Sequence, residues 1–371
     1  MSTSRAMDAT GAEDTAPNTM METDLNAVDN NKQDRVNNMN SVEPVKIEII
    51  WSIVLFFVFG HLSAIYGLYL MFTSTKLLTT FYGICSWILS GLGVTAGLHR
   101  LWSHKSYKAK LPLRFILMLM STMAFENHIY EWCMDHRIHH KYTDTNSDPH
   151  NAKRGFFFSH IGWLVVRRHP DYYDKCLKID MSDLKKDPIV MYQKKFYIPL
   201  LLLFCFIIPT IVPVYFWDET YVNAFFTSTM LRYIFTLNMT WLVNSAAHIW
   251  GKRPYDESIN PSENLSVSLG ALGEGWHNYH HVFPWDYKAA ELGNYRANLT
   301  TAFIDFFSLI GWAYDMKVVS NDMVLKRANR TGDGSHPDGS HPDGDGIWGW
   351  DDSNISIEDR KLTTVINKKD D

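Results

Sequence analysis

The sequence predicts an all-α integral membrane protein. Four transmembrane helices in two hairpins are capped by a helical cytosolic domain that carries a two-metal site. Three observations predict this: four apolar stretches of about 20 residues, a strong imbalance of basic residues among the segments joining them, and sixteen histidines, ten of which fall within or beside three short clusters. The overall hydropathy of the 371-residue chain hides the apolar stretches, because polar residues concentrate at the two ends.

Residues 1–45 are rich in Asn, Asp, Thr and Met without apolar periodicity, which predicts a disordered tail. They show no charged segment followed by a short apolar core, so no cleavable signal peptide is expected there. A main domain is expected over 46–320. Its apolar stretches fall at about 49–72, 77–98, 198–217 and 221–243, the last with one charge, Arg232. Soluble helices of this length normally keep a polar face, which these lack.

The first connector, around Thr73 to Lys76, and the second, Asp218-Glu219-Thr220, are very short and together hold one lysine. The 100 residues from His99 to Ile198 hold 17 Lys+Arg and 10 Asp+Glu. The positive-inside bias therefore places the long segment and both termini in the cytosol. Two shorter apolar runs, 110–130 and 297–315, carry internal charges and read as amphipathic rather than spanning. Residues 321–371 read as a flexible tail with an Asp-Gly-Ser-His-Pro repeat. Lys368-Lys369-Asp370-Asp371 resembles a dilysine retrieval signal of the endoplasmic reticulum.

The 35 Lys+Arg against 40 Asp+Glu are too balanced for a nucleic-acid binder. Four cysteines without a Cys-x-x-Cys pair exclude a disulfide scaffold. The histidines are more telling. The clusters are His99-x4-His104, His136-x2-His139-His140 and His277-x2-His280-His281, with His248 just past the fourth apolar stretch and His128 before the second cluster. On a helix, residues four apart share a face. His136 with His140, and His277 with His281, therefore converge, while His139 and His280 point to a second ion. His99 and His104, five apart, are expected to diverge toward different ions. Eight clustered histidines exceed the needs of one ion, so two metals are expected. An even number of crossings separates the clusters, so all lie on one face. By contrast, His61 reads as a hydrogen-bonded structural residue, and His150, His160, His169, His336 and His341 as loop or tail residues. Imidazole alone does not choose the metal. Attack on an unactivated methylene beside lipid-embedded helices needs a redox metal that activates dioxygen, which points to iron.

The runs Ala96-Gly-Leu-His-Arg-Leu-Trp-Ser-His104, Asp135-His-Arg-Ile-His-His140, Asp148-Pro-His-Asn151, Trp241-Leu-Val-Asn-Ser-Ala-Ala-His248 and Gly273-Glu-Gly-Trp-His-Asn-Tyr-His-His-Val-Phe-Pro-Trp-Asp286 resemble the membrane acyl-CoA desaturases of the stearoyl-CoA type, in an insect-like form. The resemblance runs from about Trp51 to Asp315. It implies an enzyme of the endoplasmic reticulum membrane in fatty acid biosynthesis, which inserts a cis double bond into a C16 or C18 acyl-CoA, at Δ9 in the standard case, with O2 and with electrons from cytochrome b5 and its reductase.

By that resemblance His99, His104, His136, His139, His140, His248, His277, His280 and His281 hold two Fe ions, and Asn244 holds a water that completes the shell. Trp132, Thr240 and Glu126 correspond to residues shaping a kinked acyl tunnel, the third usually being Gln. Gly91 corresponds to a small residue at the tunnel floor that limits chain length, and a glycine there is expected to permit rather than block a long chain. Asn127, Asp135, Arg167 and Arg168 correspond to CoA-contacting positions. Two departures stand out: Trp51-Ser52-Ile53 replaces Trp-Arg-Asn, and Cys133-Met134-Asp135 lacks an arginine before the aspartate. An altered bond position or chain length, or a fatty-acyl hydroxylase, is the alternative.

Overall fold

The computed structural model describes residues 47–291, 295–336, 349–353 and 355–369. Tail residues 1–45, His341 and most of the Asp-Gly-Ser-His-Pro repeat lie outside the described residues. The fold is mostly helical, with two small two-stranded ribbons and no closed sheet among the described residues.

Helix α1, Trp51–Thr73, buries Phe57, Gly60, Ser63, Ala64, Gly67 and Leu70, spaced three and four apart, and exposes Leu55, Val58, Phe59 and Leu62 on the other side. The small residues permit close backbone contact, as apolar surroundings favour. A Cβ on Gly67 would stand 2.1 Å from the Phe226 carbonyl oxygen. Helix α2, Leu77–Ser103, follows after the short predicted turn. It is α-helical to Leu92 and then widens to π geometry over Gly93–Ser103. The apolar pattern stops at Leu98, but the helix continues five residues further because the whole Gly93–Ser103 stretch is buried in protein.

Helix α3, Leu111–Ala124, crosses α2 at Gly93, where a Cβ would meet the Met120 carbonyl carbon at 2.3 Å. Gly93→Ala is therefore expected to force the two helices apart and cost at least about 1–3 kcal/mol. A lowered unfolding temperature in detergent checks this, and an unchanged one refutes the contact. Phe125 ends α3 in a left-handed conformation (φ 54°), and the His128 side chain accepts the Glu131 N–H to start α4, Ile129–Lys141.

Helix α5, Tyr197–Trp217, is the third helix long and apolar enough to cross a membrane, after α1 and α2. Residues 221–244 form a continuous helix, α6, that does not meet that test of composition. This differs from the expectation of four equivalent spans. The reason is burial: α6 packs on α1, α2 and α5, so Thr227, Thr229, Thr236 and Arg232 face protein rather than lipid. The Arg232 guanidinium donates to the Met123 and Cys205 carbonyls at 2.6 and 2.8 Å. The two turns are tied together. Glu219 accepts the Thr79 hydroxyl at 2.7 Å and the Lys76 N–H at 2.9 Å.

Beyond α6 lie α7, Ala246–Ile249, α8, His277–Val282, α9, Leu299–Leu309, and α10, Asn321–Thr331. Strand β1, Lys108–Ala109, pairs with β2, Ala313–Tyr314, and β3, Met316–Val318, pairs antiparallel with β4, Thr364–Ile366. The tail expected to be flexible from residue 321 is thus folded where it is described. Met323, Val324 and Ala328 of α10 join a core with Tyr279, Phe283 and Trp285. The 349–369 segment also packs on the domain. Trp350 N–H donates to the His104 carbonyl, and Lys369 N–H to Asp315. Composition suggested a linker there, whereas the short apolar spacing in α10 is the feature that directs the packing.

Candidate metal centre and acyl cavity

All nine predicted histidines converge, and each is buried. They form two groups whose ligand atoms lie within 4.8 Å of one another: His99, His104, His136, His140 and His280, then His139, His248, His277 and His281. Helix α4 thus gives His136 and His140 to one group and His139 to the other. Helix α8 does the reverse, with His277 and His281 in the second group and His280 in the first. Four-residue spacing accounts for both divisions.

His99 and His104 do not diverge as expected. They belong to one group, with ring centroids 4.8 Å apart. The cause is the widened end of α2: His104 N–H donates to the His99 carbonyl, an i→i+5 bond. A π turn therefore brings residues five apart onto one face, and such turns concentrate at functional sites.

The spacing of the ring nitrogens fits metal ions. Neighbouring Nε2 atoms lie 2.8 Å apart for His99–His280 and His104–His136, and 3.0 Å for His140–His280 and His248–His277. Ligands at about 2.0–2.1 Å from an ion are separated by about 2.9 Å at right angles and about 3.4 Å in a tetrahedron. The observed distances match such polyhedron edges. Burial holds His136, His140, His248, His277, His280 and His281 well below the usual imidazole range, and neighbouring imidazoles add to this. Metal ligation requires the neutral form.

One histidine of each group is anchored by a carboxylate. His139 Nδ1 donates to Asp148 at 2.8 Å, and His99 Nδ1 lies 2.9 Å from Glu274. A protonated Nδ1 leaves Nε2 free to face the ion. Burial would raise the Glu274 carboxyl, but Arg100 and His99 outweigh it and hold it below the usual range. His150 is also not a loop bystander. It is buried, 3.7 Å from Asp148 and with its ring 4.9 Å from that of His139. Sequence reasoning placed Asp148 and Glu274 within diagnostic runs but gave them no role; the signal was a carboxylate near the second and third histidine clusters.

Beside the first group lies an apolar cavity lined by Trp87, Gly91, Trp132, Thr240 and Asn244, among others. Three of the predicted tunnel residues meet. Glu126 accepts Thr240 Oγ1–H at 2.8 Å and Trp132 Nε1–H at 3.2 Å. The Trp132 ring stacks on His136, with centroids 4.9 Å apart. Burial pushes the Glu126 carboxyl up to about 7, and the two donors only partly offset this. The side chain is therefore neutral below about pH 7 and charged above it. An anion beside an apolar chain is costly, so substrate KM is expected to rise as pH passes upward through 7. The Glu126→Gln variant should be flat across that range. Identical pH profiles for the two proteins would refute the assignment.

The four positions matched to headgroup contacts separate. Asp135 accepts both Arg168 nitrogens at 2.7 and 2.6 Å and the Tyr172 hydroxyl. Asp135 and Arg168 are thus joined to each other. Arg167 is exposed and lies 2.8 Å from Glu48, and Asn127 occupies a left-handed turn between α3 and α4. Of the remaining histidines, His61 donates its Nδ1–H to the Phe57 carbonyl and accepts from Asn238 Nδ2–H, and His160 donates its Nε2–H to Asn238 Oδ1 and hydrogen-bonds through Nδ1 with the Ser245 hydroxyl, which are structural roles.

Apolar helices carrying nine buried histidines, in two groups able to hold metal, beside an apolar cavity fit a membrane enzyme of lipid chains. The fatty acid desaturase family profile matches residues 73–298. The chain belongs to that family and is an oxidoreductase. It is 62% identical to an acyl-CoA Delta-9 desaturase of Acheta domesticus, over 88% of this chain and 89% of the relative. It is 55% identical to an acyl-CoA Delta12-desaturase of the same organism, over 88% and 89%. It is also 55% identical to stearoyl-CoA desaturase 2 of Mus musculus, over 79% and 81%.

Proposed function

We propose that this protein is a di-iron, O2-dependent acyl-CoA desaturase that places a cis double bond at Δ9 of a C16 or C18 chain. The observation that carries this reading is the pair of buried histidine groups opening onto an apolar cavity. Iron is favoured because only a redox ion that activates dioxygen supplies the power to remove hydrogen from an unactivated methylene. The five histidines of the first group and the four of the second would hold the two ions, with Asn244, at the cavity wall beside His277, placed to add a water.

The chain's own residues do the positioning. Trp132, fixed between Glu126 and His136, and Thr240 narrow the cavity next to His99 and His136. An acyl chain threaded there presents a set pair of carbons to the metal site, which is the source of bond position. The apolar lining excludes water, so reactive oxygen is not diverted to solvent. Glu274 and Asp148 hold His99 and His139 in the required tautomer.

The reading extends to the setting. Helices α1, α2, α5 and α6 form four crossings as two hairpins in the endoplasmic reticulum membrane, with both termini and the metal site in the cytosol. There the site receives acyl-CoA, and electrons from cytochrome b5 and its reductase. The tied turns at Glu219 support the two-hairpin arrangement, and the basic 99–198 segment supports the orientation. The alternative of a different bond position is favoured by one observation: Ser52, Ile53 and Met134 stand where polar headgroup contacts are expected. A shift in headgroup seating would slide the chain past the metals.

Expression in a yeast strain lacking its own Δ9 desaturase tests these readings. Oleate and palmitoleate are expected. Double bonds elsewhere would select the alternative, and hydroxy-acyl products or no product would overturn the desaturase assignment.

A further inference from the structure

Leu272 is unusual in three respects. It has a left-handed backbone (φ 55°), which bulky L residues rarely adopt. That conformation is held by Thr300, whose N–H and hydroxyl both donate to the Leu272 carbonyl at 3.0 and 2.8 Å. Thr300 in turn contacts Thr95 of the cavity wall at 2.7 Å. Finally, the neighbouring Gly273 (φ 121°) packs on Asn298, where a Cβ would stand 2.3 Å from the side-chain oxygen. The surroundings over-determine a strained residue, a pattern associated with functional sites.

The strain has a geometric result. It turns the Leu272 side chain into the apolar cavity opposite Gly91 of α2, where it joins Leu92 and Met120. A Cβ on Gly91 would stand 2.7 Å from Leu272 Cδ1. The two positions therefore share one volume, and neither can grow without displacing the other. Gly91 lies eight residues before His99 on α2, toward the end of that helix remote from the histidine groups. This is the part of the cavity that the acyl segment beyond the reacting carbons would occupy.

We infer that Leu272 is a specificity-determining residue that closes the cavity against Gly91 and so sets the acyl chain length accepted. This rests on the acyl-chain reading of the cavity. Shortening Leu272 opens space past Gly91, and enlarging it fills that space.

The test uses the full-length protein in the same yeast strain, with products separated by chain length. Leu272→Ala is expected to raise the ratio of C18-and-longer to C16 unsaturated products at least about five-fold. Leu272→Phe should lower it by a similar factor. Gly91→Ala should shift the ratio toward C16, and adding Leu272→Ala should restore it, because the atom that a Gly91 side chain meets is then gone. Such coupling marks residues that share one space. Membrane abundance and bound metal, measured for each variant, separate misfolding from altered selection. Should the alanine variant fail to accumulate, the phenylalanine variant carries the same test in the opposite direction. Ratios within two-fold of wild type in accumulated, active variants would overturn the inference and leave the desaturase reading intact. Absence of unsaturated product from the wild-type chain would instead overturn that reading.

Discussion

Replacing His280 with alanine is expected to abolish product formation while leaving the protein in the membrane. His280 is the single contribution of α8 to the first histidine group, and its Nε2 lies 2.8 Å from that of His99 and 3.0 Å from that of His140. It is therefore shared between the contributions of α2 and α4. Changes one shell further out at metal sites typically cost roughly 10–100-fold in affinity or activity. Removal of a ligand in contact with two others should exceed that. Bound iron per protein and the fatty-acid profile are the two measurements. Wild-type activity would exclude His280 as a ligand. Loss of activity with undiminished iron would move its role from ligation to the reaction itself.

Replacing Arg100 with alanine is expected to have the largest effect on stability, about 3–5 kcal/mol, as when one partner of a buried ion pair is removed. Arg100 is 1% exposed. Its Nε donates to Glu274 at 2.9 Å, and its other nitrogens donate to the Tyr287 and Lys288 carbonyls, Thr301 and Asn298 at 2.9 to 3.1 Å. Alanine would leave the Glu274 carboxylate buried with His99 as its remaining charge partner. The damage would therefore spread to a metal ligand. A large fall in the unfolding midpoint together with lower iron content is the expected result. Arg100→Lys should lie between, since an ammonium keeps the charge but not the planar fork of donors. An unchanged midpoint in the alanine variant would mean that the network is not stabilising.

Much of this was legible in the residues. The three apolar helices follow from runs long enough to span hydrocarbon, and the division of the two His-x-x-His-His clusters between two histidine groups follows from helical spacing. What could not be read depends on departures from regular structure. His99 and His104 fall in one group because α2 widens, and no residue pattern announces a π turn. Residues 221–244 carry too many polar groups for a lipid-facing helix because they are surrounded by protein, which is a property of the assembled bundle. Asp135 and Arg168 look like free charges in sequence, yet 33 positions apart they neutralise each other. The order of α10 and the 355–369 segment arises from long-range packing against Tyr279 and Trp285, which composition cannot report.

The first histidine group also carries a consequence for how the protein is made. Its members are spread widely along the chain, with His280 following His99 by 181 positions. At about 5–20 residues per second, synthesis of that interval takes on the order of 10–40 s. During this time the α2 and α4 histidines exist without their closing partner. The contact between Trp350 and the His104 carbonyl must wait longer still. Completion of the first histidine group is therefore a late event in biogenesis. A nascent chain arrested before residue 277 would hold four of the five histidines of the first group and two of the four of the second.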